Sequence, residues 1–440
     1  MSFNELFGSI PDGWRSCTLG ELVKEFNGSI QTGPFGSQLH AADYVEDGIP
    51  SIMPKNIRID GVDDSDIARV SPEDIERLSK YKVQTGDIVY SRRGDVEKCS
   101  LITEKENGWL CGTGCLRVRL QTEEVSPEFL HAYLCHPAVR EWIVRHAVGA
   151  TMPNLNTSIL SALPVLVPTS DSMAAITSNW NAISSKLVIN SKINQTLEEM
   201  AQVIFKSWFV DFDPVKAKMN GEQPEGMDAA TASLFPEKLV ESELGLIPEG
   251  WEIESLAELM DIKGGTQPPS KHFADELREG YVRLVQIRDY DTDNHLTYIP
   301  DEKKLRRTSP LDVMIGRYGA AVGRILWGLS GAYNVALVKA EPKRENVREF
   351  LRTYLLSNKF QAPMQMMSGR SAQSGFNKSD IASYKLALPS PELFEEYENL
   401  ALPIRRYGLS LKQQTRDLEV LRDTLLPKLL SGEIELVEQS

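Results

Sequence analysis

Two long segments of the chain carry residues that step alternately by four and three positions. The first seam is Ile176, Trp180, Ile183, Leu187, Asn190, Asn194, Leu197, Ala201, Ile204 and Trp208, and the second is Leu400, Ile404, Tyr407, Leu411, Gln414, Leu418, Leu421 and Leu425. This heptad spacing predicts two long helices, and about 38 residues at 1.5 Å each give a rod of roughly 55 Å. A small domain cannot bury so long a stripe, so we expect the two helices to pair as an antiparallel coiled coil.

Polar residues stand within the first seam and near the start of its helix. Asn190 and Asn194 interrupt the apolar stripe. A buried amide at such a position typically fixes the register of paired helices, although both amides could instead face a partner subunit. Asp171 is the predicted N-cap of this helix.

The residues that precede the first seam have the pattern of strands and turns. Ile88–Tyr90 is an apolar strand after a turn, Cys115–Leu120 alternates with a period of two, and Leu163–Pro168 is an apolar strand bounded by proline. The Ser-Pro pair that opens Ser126–Arg145 predicts an N-cap and a helix over that range. Strands and helices mixed in this way predict an α+β domain.

The whole arrangement occurs twice. The sequence Ile-Pro-Asp-Gly-Trp at Ile10–Trp14 returns as Ile-Pro-Glu-Gly-Trp at Ile247–Trp251. Further matches join Asp87–Gly94 to Asp312–Gly319, Phe129–Leu134 to Phe350–Leu355, and Leu197–Glu198 to Leu418–Glu419. A repeat this long is a duplicated domain with its helix, and not the short unit of a solenoid.

The fold is therefore predicted to be α+β, with two mixed α/β domains separated by two long antiparallel coiled-coil helices in a pseudo-two-fold internal repeat. The predicted boundaries are 1–170 for the first domain, 171–212 for the first spacer helix, 213–245 for a linker, 246–390 for the second domain and 391–432 for the second spacer helix. The linker is rich in glycine, proline and acidic residues and has little periodicity, so we expect a long connector there.

Composition places the chain among globular proteins and restricts its location. Its 440 residues are 41% hydrophobic and 25% charged. We predict no membrane span, because no apolar run approaches roughly 20 residues, and no secretory signal, because the first residues lack a basic region followed by an apolar one. Five cysteines suit a reducing compartment, so a cytoplasmic location is expected.

The net charge of −14 counts against nucleic-acid binding when it is taken alone. The charge is unevenly placed, however, because acidic residues concentrate in 211–249 and basic residues cluster in 303–324. Acidic outer faces could therefore surround a local basic groove, or could serve protein partners.

Motifs for catalysis are missing from the sequence. It contains no phosphate-binding loop, no dinucleotide-binding glycine motif and no amino-methyltransferase tetrapeptide. Cys111, Cys115, His131, Cys135 and His136 have tolerable spacing for a zinc site, but the second copy has no such residues at the three positions that match the last three. We therefore interpret them as buried free cysteines and helix histidines and predict no metal site.

Glycine-rich polar loops recur at equivalent places in the two copies. Glycine permits close backbone approach, and amide, hydroxyl and basic side chains can contact base edges or phosphates. An ordinary solvated loop, or a turn that both copies require, is the alternative interpretation of each. The candidate DNA-binding residues are Gln31, Ser37, Gln38, Lys55, Asn56, Arg92, Arg93, Asn154, Asn156, Gln267, Lys271, Gln286, Arg288, Arg317, Tyr318, Arg324, Arg370, Gln373, Asn377 and Lys378.

With this order of elements, nearly the whole chain resembles the specificity subunit of a type I restriction–modification system. The resemblance rests on the paired Ile-Pro-Asp/Glu-Gly-Trp openings, on Leu197–Val215, and on Leu418–Leu430 with the Ser-Gly-Glu-Ile that follows. It implies two target-recognition domains, each of which reads half of a bipartite, asymmetric sequence in double-stranded DNA. It also implies that the helices act as a ruler across a non-specific spacer.

The resemblance further implies the partners. Two modification subunits use S-adenosylmethionine to methylate adenine, and two restriction subunits are driven by ATP, so that S-adenosylmethionine, ATP and magnesium belong to the partners and this chain binds no cofactor of its own. If the modification subunits supply much of the phosphate affinity, this acidic chain alone should bind DNA weakly and in a salt-sensitive way. A coiled-coil scaffold whose end domains bind protein, or less readily a stand-alone nuclease or methyltransferase, are the alternatives.

Overall fold

The computed structural model describes residues 10–149, 152–293, 295–368, 377–431 and 433–434. The chain divides into two compact units. The first unit comprises the residues up to Ser191 together with those from Gln413 onward, and the second comprises Lys192–Lys412. Both divisions fall inside long helices, so each unit contains part of both helices.

The first unit is built on an antiparallel central sheet with the strand order β2-β11-β8-β9. A second sheet has the order β10-β4-β7-β3, β1 pairs with β12, and β5 pairs with β6. The strands are β1 (Arg15–Thr18), β2 (Ser29–Thr32), β3 (Tyr44–Val45), β4 (Ile49–Ile52), β5 (Ile57–Arg58), β6 (Gly61–Val62), β7 (Ala68–Val70), β8 (Ile88–Ser91), β9 (Cys99–Leu101), β10 (Leu110–Cys111), β11 (Cys115–Arg119) and β12 (Pro164–Val167).

The helices that begin in the first unit are α1 (Leu19–Glu25), α2 (Pro72–Arg77), α3 (Pro127–Leu134), α4 (Pro137–His146), α5 (Thr157–Ser161) and α6 (Ser170–Lys206). The single helix predicted over Ser126–Arg145 is wrong, because α3 and α4 are separate helices. Pro137 has no N–H to donate and disfavours helical dihedrals in the residue before it, and His136 accordingly has φ −58 and ψ 136. The N-cap at Ser126 is confirmed, since its hydroxyl accepts a 3.0 Å hydrogen bond from Phe129 N.

The second unit repeats this plan. Its central sheet has the order β16-β23-β20-β21, a second sheet has the order β18-β17-β22-β19, β15 pairs with β24, and β13 pairs with β14. The strands are β13 (Leu239–Ser242), β14 (Gly245–Pro248), β15 (Glu252–Ser255), β16 (Met260–Gly264), β17 (Tyr281–Val285), β18 (Tyr298–Pro300), β19 (Arg307–Thr308), β20 (Val313–Gly316), β21 (Ile325–Leu326), β22 (Gly331–Tyr333), β23 (Leu337–Pro342) and β24 (Lys385–Leu388).

The remaining helices are α7 (Asp213–Met219), α8 (Ala229–Ser233), α9 (Arg348–Leu356), α10 (Asn358–Ser368), α11 (Lys378–Ala382) and α12 (Pro391–Leu430). The segment 213–245, predicted as a long connector, contains secondary structure of its own: α7, α8, β13 and the turn to β14. Val215 and Phe235 are buried in the core of the second unit. The apolar residues here are too widely spaced to show a period, but they pack all the same.

The duplication seen in the sequence is confirmed by the matching sheets. β1 and β12 close the first domain as β15 and β24 close the second, and both central sheets place their two middle strands at equivalent positions. The fold is α+β, as predicted, with a long helix after each of the two mixed domains.

The seam of α6 is confirmed. None of its ten predicted residues is exposed, and Asn190 is fully buried. The predicted cap is wrong, since α6 begins at Ser170, before Asp171. Thr169 takes the capping role because its hydroxyl accepts a 3.4 Å hydrogen bond from Ser172 N.

The two long helices run antiparallel within each unit. In the first unit the Arg422 guanidinium lies over the Trp180 ring at 5.9 Å, while Asn190 contacts Gln414. From the first contact to the second, the residue number increases on α6 and decreases on α12, so the two helices run in opposite directions. The same order holds in the second unit, where the Tyr397 hydroxyl lies 3.5 Å from Ala201 O.

The predicted seam of α12 is partly wrong. Leu400, Tyr407, Gln414 and Leu421 are exposed, whereas Arg405 is buried and Gly408 faces Asn194. The inner face of this helix includes charged and small residues, which the spacing of apolar residues does not identify. No helix in the described part of the chain is long and apolar enough to cross a membrane.

Candidate nucleic-acid interface

In the first unit, several loops meet at one end of the central sheet, around Arg92. Arg92 directly follows β8, and its backbone N–H donates a 2.8 Å hydrogen bond to Gly114 O. Its carbonyl accepts from Leu155 N at 2.9 Å, and Gly94 N donates to Pro153 O at 3.2 Å. The loops 92–94, 112–114 and 152–156 are thereby fixed to one another, and we call this place the first loop cluster.

The loop after β2 joins the first loop cluster through a glycine and an aromatic ring. A Cβ at Gly33 would lie 2.1 Å from Gly112 O, so a residue with a side chain does not fit without a backbone shift. The Arg92 guanidinium lies 5.7 Å from the centre of the Phe35 ring, a cation–π arrangement. Phe35 is 53% exposed and Arg92 is half-buried, so the flat ring faces solvent beside the cation.

The second unit has the same arrangement around Arg317, which directly follows β20. Arg317 N donates to Ala336 O at 2.9 Å, and a Cβ at Gly265 would lie 2.0 Å from Asn334 O. The Arg317 guanidinium lies 5.1 Å from the centre of the Tyr318 ring, which is partly exposed. We call this place the second loop cluster. Each unit thus presents an arginine and an aromatic ring at the same end of its central sheet.

Other predicted residues of the first unit have structural hydrogen bonds. Asn56 is buried, and its Oδ1 accepts from Met53 N at 3.0 Å while its Nδ2 donates to Asp63 O at 2.9 Å. Gln31 Oε1 accepts from Arg117 at 2.7 Å. Gln38 Oε1 accepts from the Tyr81 hydroxyl at 2.9 Å. The side-chain oxygens of all three amides already have donors.

The asparagines that recur in both copies cap helices. Asn156 Oδ1 accepts from Ile159 N at 2.8 Å at the start of α5. Asn377 Oδ1 accepts from Ser379 N at 2.8 Å at the start of α11. Their recurrence therefore follows from a shared capping requirement, which was the alternative interpretation of these positions.

Several predicted basic or polar residues lie in pairs. Lys55 lies 2.6 Å from Asp66, and Lys378 lies 3.4 Å from Asp261. Arg324 holds Asp291 with both nitrogens, and its hydrogen bonds lower the pKa of that carboxyl. Two further predicted residues share one acceptor: Gln286 Nε2 and Arg288 Nη2 lie 2.9 and 3.3 Å from Thr297 Oγ1.

Four predicted side chains are exposed and make no hydrogen bond or ion pair with the described residues: Ser37, Arg93, Gln267 and Lys271. Asn154 bridges Arg93 through the backbone and is half-buried, which places both in the first loop cluster. Arg370 and Gln373 lie outside the described residues.

Exposed apolar residues in and beside the first loop cluster are not among the residues predicted from the sequence. Val148 and Met152 are 64% and 62% exposed on the loop that bridges to Arg93, and Phe35 lies beneath Arg92. Apolar side chains of this kind can stack on a base or wedge between base steps. The sequence signal for Phe35 is its place in Pro-Phe-Gly within a polar, glycine-rich loop. Such a loop has no core in which to bury a phenylalanine, so an exposed ring could have been expected there.

Comparison with known proteins adds to this geometry. A family model described as "Type I restriction modification DNA specificity domain" matches residues 11–199 and 248–396. The HindI specificity subunit of Haemophilus influenzae is 26% identical over 413 residues, which cover 82% of this chain and 89% of that protein. The MjaIX specificity subunit of Methanocaldococcus jannaschii is 22% identical over 326 residues, which cover 71% of this chain and 70% of that protein.

Among solved structures, the crystal structure of the S subunit of a type I restriction–modification system from M. genitalium has the same fold. The TM-score is 0.51 at 16% sequence identity, over 96% of this chain and 97% of that one. At this identity the likeness concerns the fold alone.

Proposed function

The chain belongs to the family of type I restriction–modification DNA specificity domains, and on that premise we propose that it is a non-catalytic specificity subunit. Each of its two domains reads one half of a bipartite, asymmetric target in double-stranded DNA. The two long helices set the spacer between the halves and dock the modification subunits.

One observation carries this proposal: an arginine follows the middle strand of the central sheet at the equivalent position in both units. The backbone N–H of Arg92 and that of Arg317 donate equivalent hydrogen bonds, to Gly114 O and to Ala336 O, and each guanidinium lies beside an exposed aromatic ring. Arginine is the side chain that most often reads guanine in the major groove, and it also contacts phosphate. The surrounding loops differ in sequence, which suits two readers of different half-sites.

The helices support the second part of the proposal. α6 has 37 residues and α12 has 40, or about 55–60 Å at 1.5 Å per residue. In proteins that bind two half-sites, the separation of those sites follows from protein geometry. A long helix is therefore a suitable ruler for a spacer that is not read.

Catalysis is assigned to the partners. We expect two modification subunits to supply adenine methylation with S-adenosylmethionine, and two restriction subunits to supply ATP- and magnesium-dependent cleavage, in the cytoplasm. Five free cysteines, four of them buried, are compatible with that reducing compartment.

The test is to co-express the chain with its candidate modification subunit and to map methylated adenines across the host genome. We expect one bipartite motif with a constant spacer. A chimera that replaces only residues 1–170 by the corresponding region of another specificity subunit should change one half of the motif and preserve the other.

A scaffold whose domains bind protein predicts a different outcome. Its complexes would assemble, but the methylation pattern would not follow the exchanged domain. A pattern that is unchanged in the chimera, or changed in both halves at once, would contradict the proposal.

A further inference from the structure

A cluster of metal-ligating side chains lies buried in the first unit, away from the first loop cluster. Cys99 on β9 and Cys135 and His131 at the end of α3 place their ligand atoms within 4.8 Å of one another. All three residues are at least 94% buried. Sequence spacing groups His131 and Cys135 with Cys111, Cys115 and His136, but those last three do not belong to this cluster.

We propose that Cys99, Cys135 and His131 bind one zinc ion, which fastens α3 to the edge strand of the central sheet. The inference concerns the stability of the first unit and does not rest on the proposed function.

Two of the three distances between the ligand atoms are those of a tetrahedral zinc site, and the third is within 4.8 Å. With Zn–S bonds of about 2.3 Å and Zn–N bonds of about 2.0–2.1 Å, two ligands of a tetrahedron lie about 3.8 Å apart when both are sulfur and about 3.5 Å apart when one is nitrogen. Cys99 Sγ and Cys135 Sγ are 3.8 Å apart, and His131 Nε2 and Cys135 Sγ are 3.4 Å apart. The three side chains therefore need little movement to accept the ion.

A further polar group lies beside the three ligands: Tyr90 is the register partner of Cys99 on β8. The Tyr90 hydroxyl is fully buried and completes no hydrogen bond of good geometry with the described residues. A buried hydroxyl that lacks a well-formed hydrogen bond is destabilising, and contact with the ion or with a water bound to it would relieve this.

The charge balance also favours zinc at this depth. Both thiols lose their protons to solvent on binding, so that two thiolates, a neutral imidazole and Zn²⁺ sum to zero. A cavity of about 400 Å³ reaches His131 between Trp180 and Asp60 and gives the ion a path of entry.

In the second unit, a different interaction occupies the position equivalent to this cluster. Arg352 stands where His131 does, and there a buried ion network joins α9 to both long helices. Among the described residues of the first unit, no such network surrounds His131, so a metal would supply the equivalent anchor.

The test uses the untagged full-length chain in a phosphine reductant. After incubation with zinc and removal of the excess, elemental analysis should give one zinc per chain. Cobalt(II) should give the near-ultraviolet charge-transfer band of thiolate ligands. Cys99→Ser and Cys135→Ser should lose both signals, with a loss of zinc affinity beyond the roughly 10–100-fold that removal of an outer-shell partner costs.

Cys111→Ser is the matched control, because Cys111 is as buried as Cys99 but lies outside the cluster. It should retain the zinc and the cobalt band. A chelator should lower the Tm of the wild type and of Cys111→Ser. If the serine variants do not fold, the wild-type cobalt spectrum and the chelator-dependent Tm decide the question. A reduced wild-type chain that takes up neither metal, or a zinc content unchanged in folded Cys99→Ser, overturns the proposal and leaves a metal-free pair of hydrogen-bonded thiols.

Discussion

Asn190 Nδ2 donates a 2.9 Å hydrogen bond to Gln414 Oε1, which joins α6 to α12 in the middle of an otherwise mainly apolar seam. Asn190 is fully buried, and its Oδ1 has no hydrogen-bond partner among the described residues. An amide that leaves half of its capacity unused contributes little net stability. The pair is better explained as a device that allows one register of the helices and penalises the others.

We therefore expect Asn190→Leu to be at least as stable as the wild type, because it removes a half-satisfied buried amide and leaves the exposed Gln414 free to hydrate. Methylation mapping should then show sites with more than one spacer length. Leu187→Asn at the neighbouring seam position is the control and should lose roughly 2–4 kcal/mol, since it buries an amide in place of an apolar side chain. A loss above about 1 kcal/mol in Asn190→Leu would mean that the amide serves stability instead.

Arg92→Ala and Arg317→Ala should each weaken the reading of one half-site. A bidentate contact with a base contributes about 1–3 kcal/mol of discrimination, so we expect roughly 5- to 150-fold less methylation at the target and relaxed preference at a base in one half only. Arg145→Ala, on the exposed face of α4, is the matched control and should leave the motif unchanged. If both arginine variants keep the full motif, the loop clusters are not the reading surface.

The chain alone should bind DNA weakly and with a strong dependence on salt, because its net charge is −14 and its cations are local. Titration of a labelled duplex at several salt concentrations gives the slope of log affinity against log salt. Arg93→Ala should reduce that slope by about one if its exposed guanidinium contacts phosphate. Tight, sequence-specific binding by the isolated chain at physiological salt would contradict this expectation.

The sequence predicted the architecture well because the architecture depends on periodic patterns. The heptad spacing located α6 and α12, and the duplicated motifs located two domains of one plan. The pattern failed where a single residue overrides it. Pro137 begins a new helix where the apolar periodicity predicts that the preceding one continues. Arg405 and Gly408 occupy the inner face of α12 although neither is apolar.

The candidate site was harder to predict, because a polar residue in a loop looks the same whether it faces solvent or completes a turn. Asn156 and Asn377 recur because both cap helices, and Lys55 and Arg324 are neutralised by aspartates that are distant in sequence. Partners of that kind come together only through the fold.

The buried ion network of the second unit should be decisive for its stability. Glu349 accepts from Arg405 at 2.6 Å and from Arg352 at 2.8 Å, and Arg352 also reaches Glu198 at 2.7 Å. Glu349→Gln leaves two buried guanidinium groups with one carboxylate between them, so we expect a loss of about 3–5 kcal/mol in the free energy of unfolding. Urea denaturation measures it. The ion pair of Glu345 with Arg348 offers the control, because the Glu345 side chain is 84% exposed. Glu345→Gln should cost about 1 kcal/mol or less. Equal effects of the two variants would refute a structural role for the network.

Glu398 should make the second unit less stable as pH rises. The pKa of its carboxyl is raised to about 7, mainly by burial and also by repulsion from the Glu349 charge, while the hydrogen bond from Glu349 N lowers it. In the unfolded chain a glutamate has a pKa of about 4.3. The folded state therefore holds the proton more tightly, and its stabilising effect is complete below about pH 4 and is lost as pH rises through 7.

Glu398→Gln keeps an acceptor for Glu349 N and cannot ionise. Thermal unfolding of wild type and variant, compared from about pH 5 to pH 8, should show the wild type falling behind by roughly 1–2 kcal/mol, a figure reduced for the partial exposure of the carboxyl. Glu395→Gln, on the exposed face of the same helix, should follow the wild type at every pH. Parallel curves for wild type and Glu398→Gln would show that the Glu398 carboxyl titrates alike in the folded and unfolded chain.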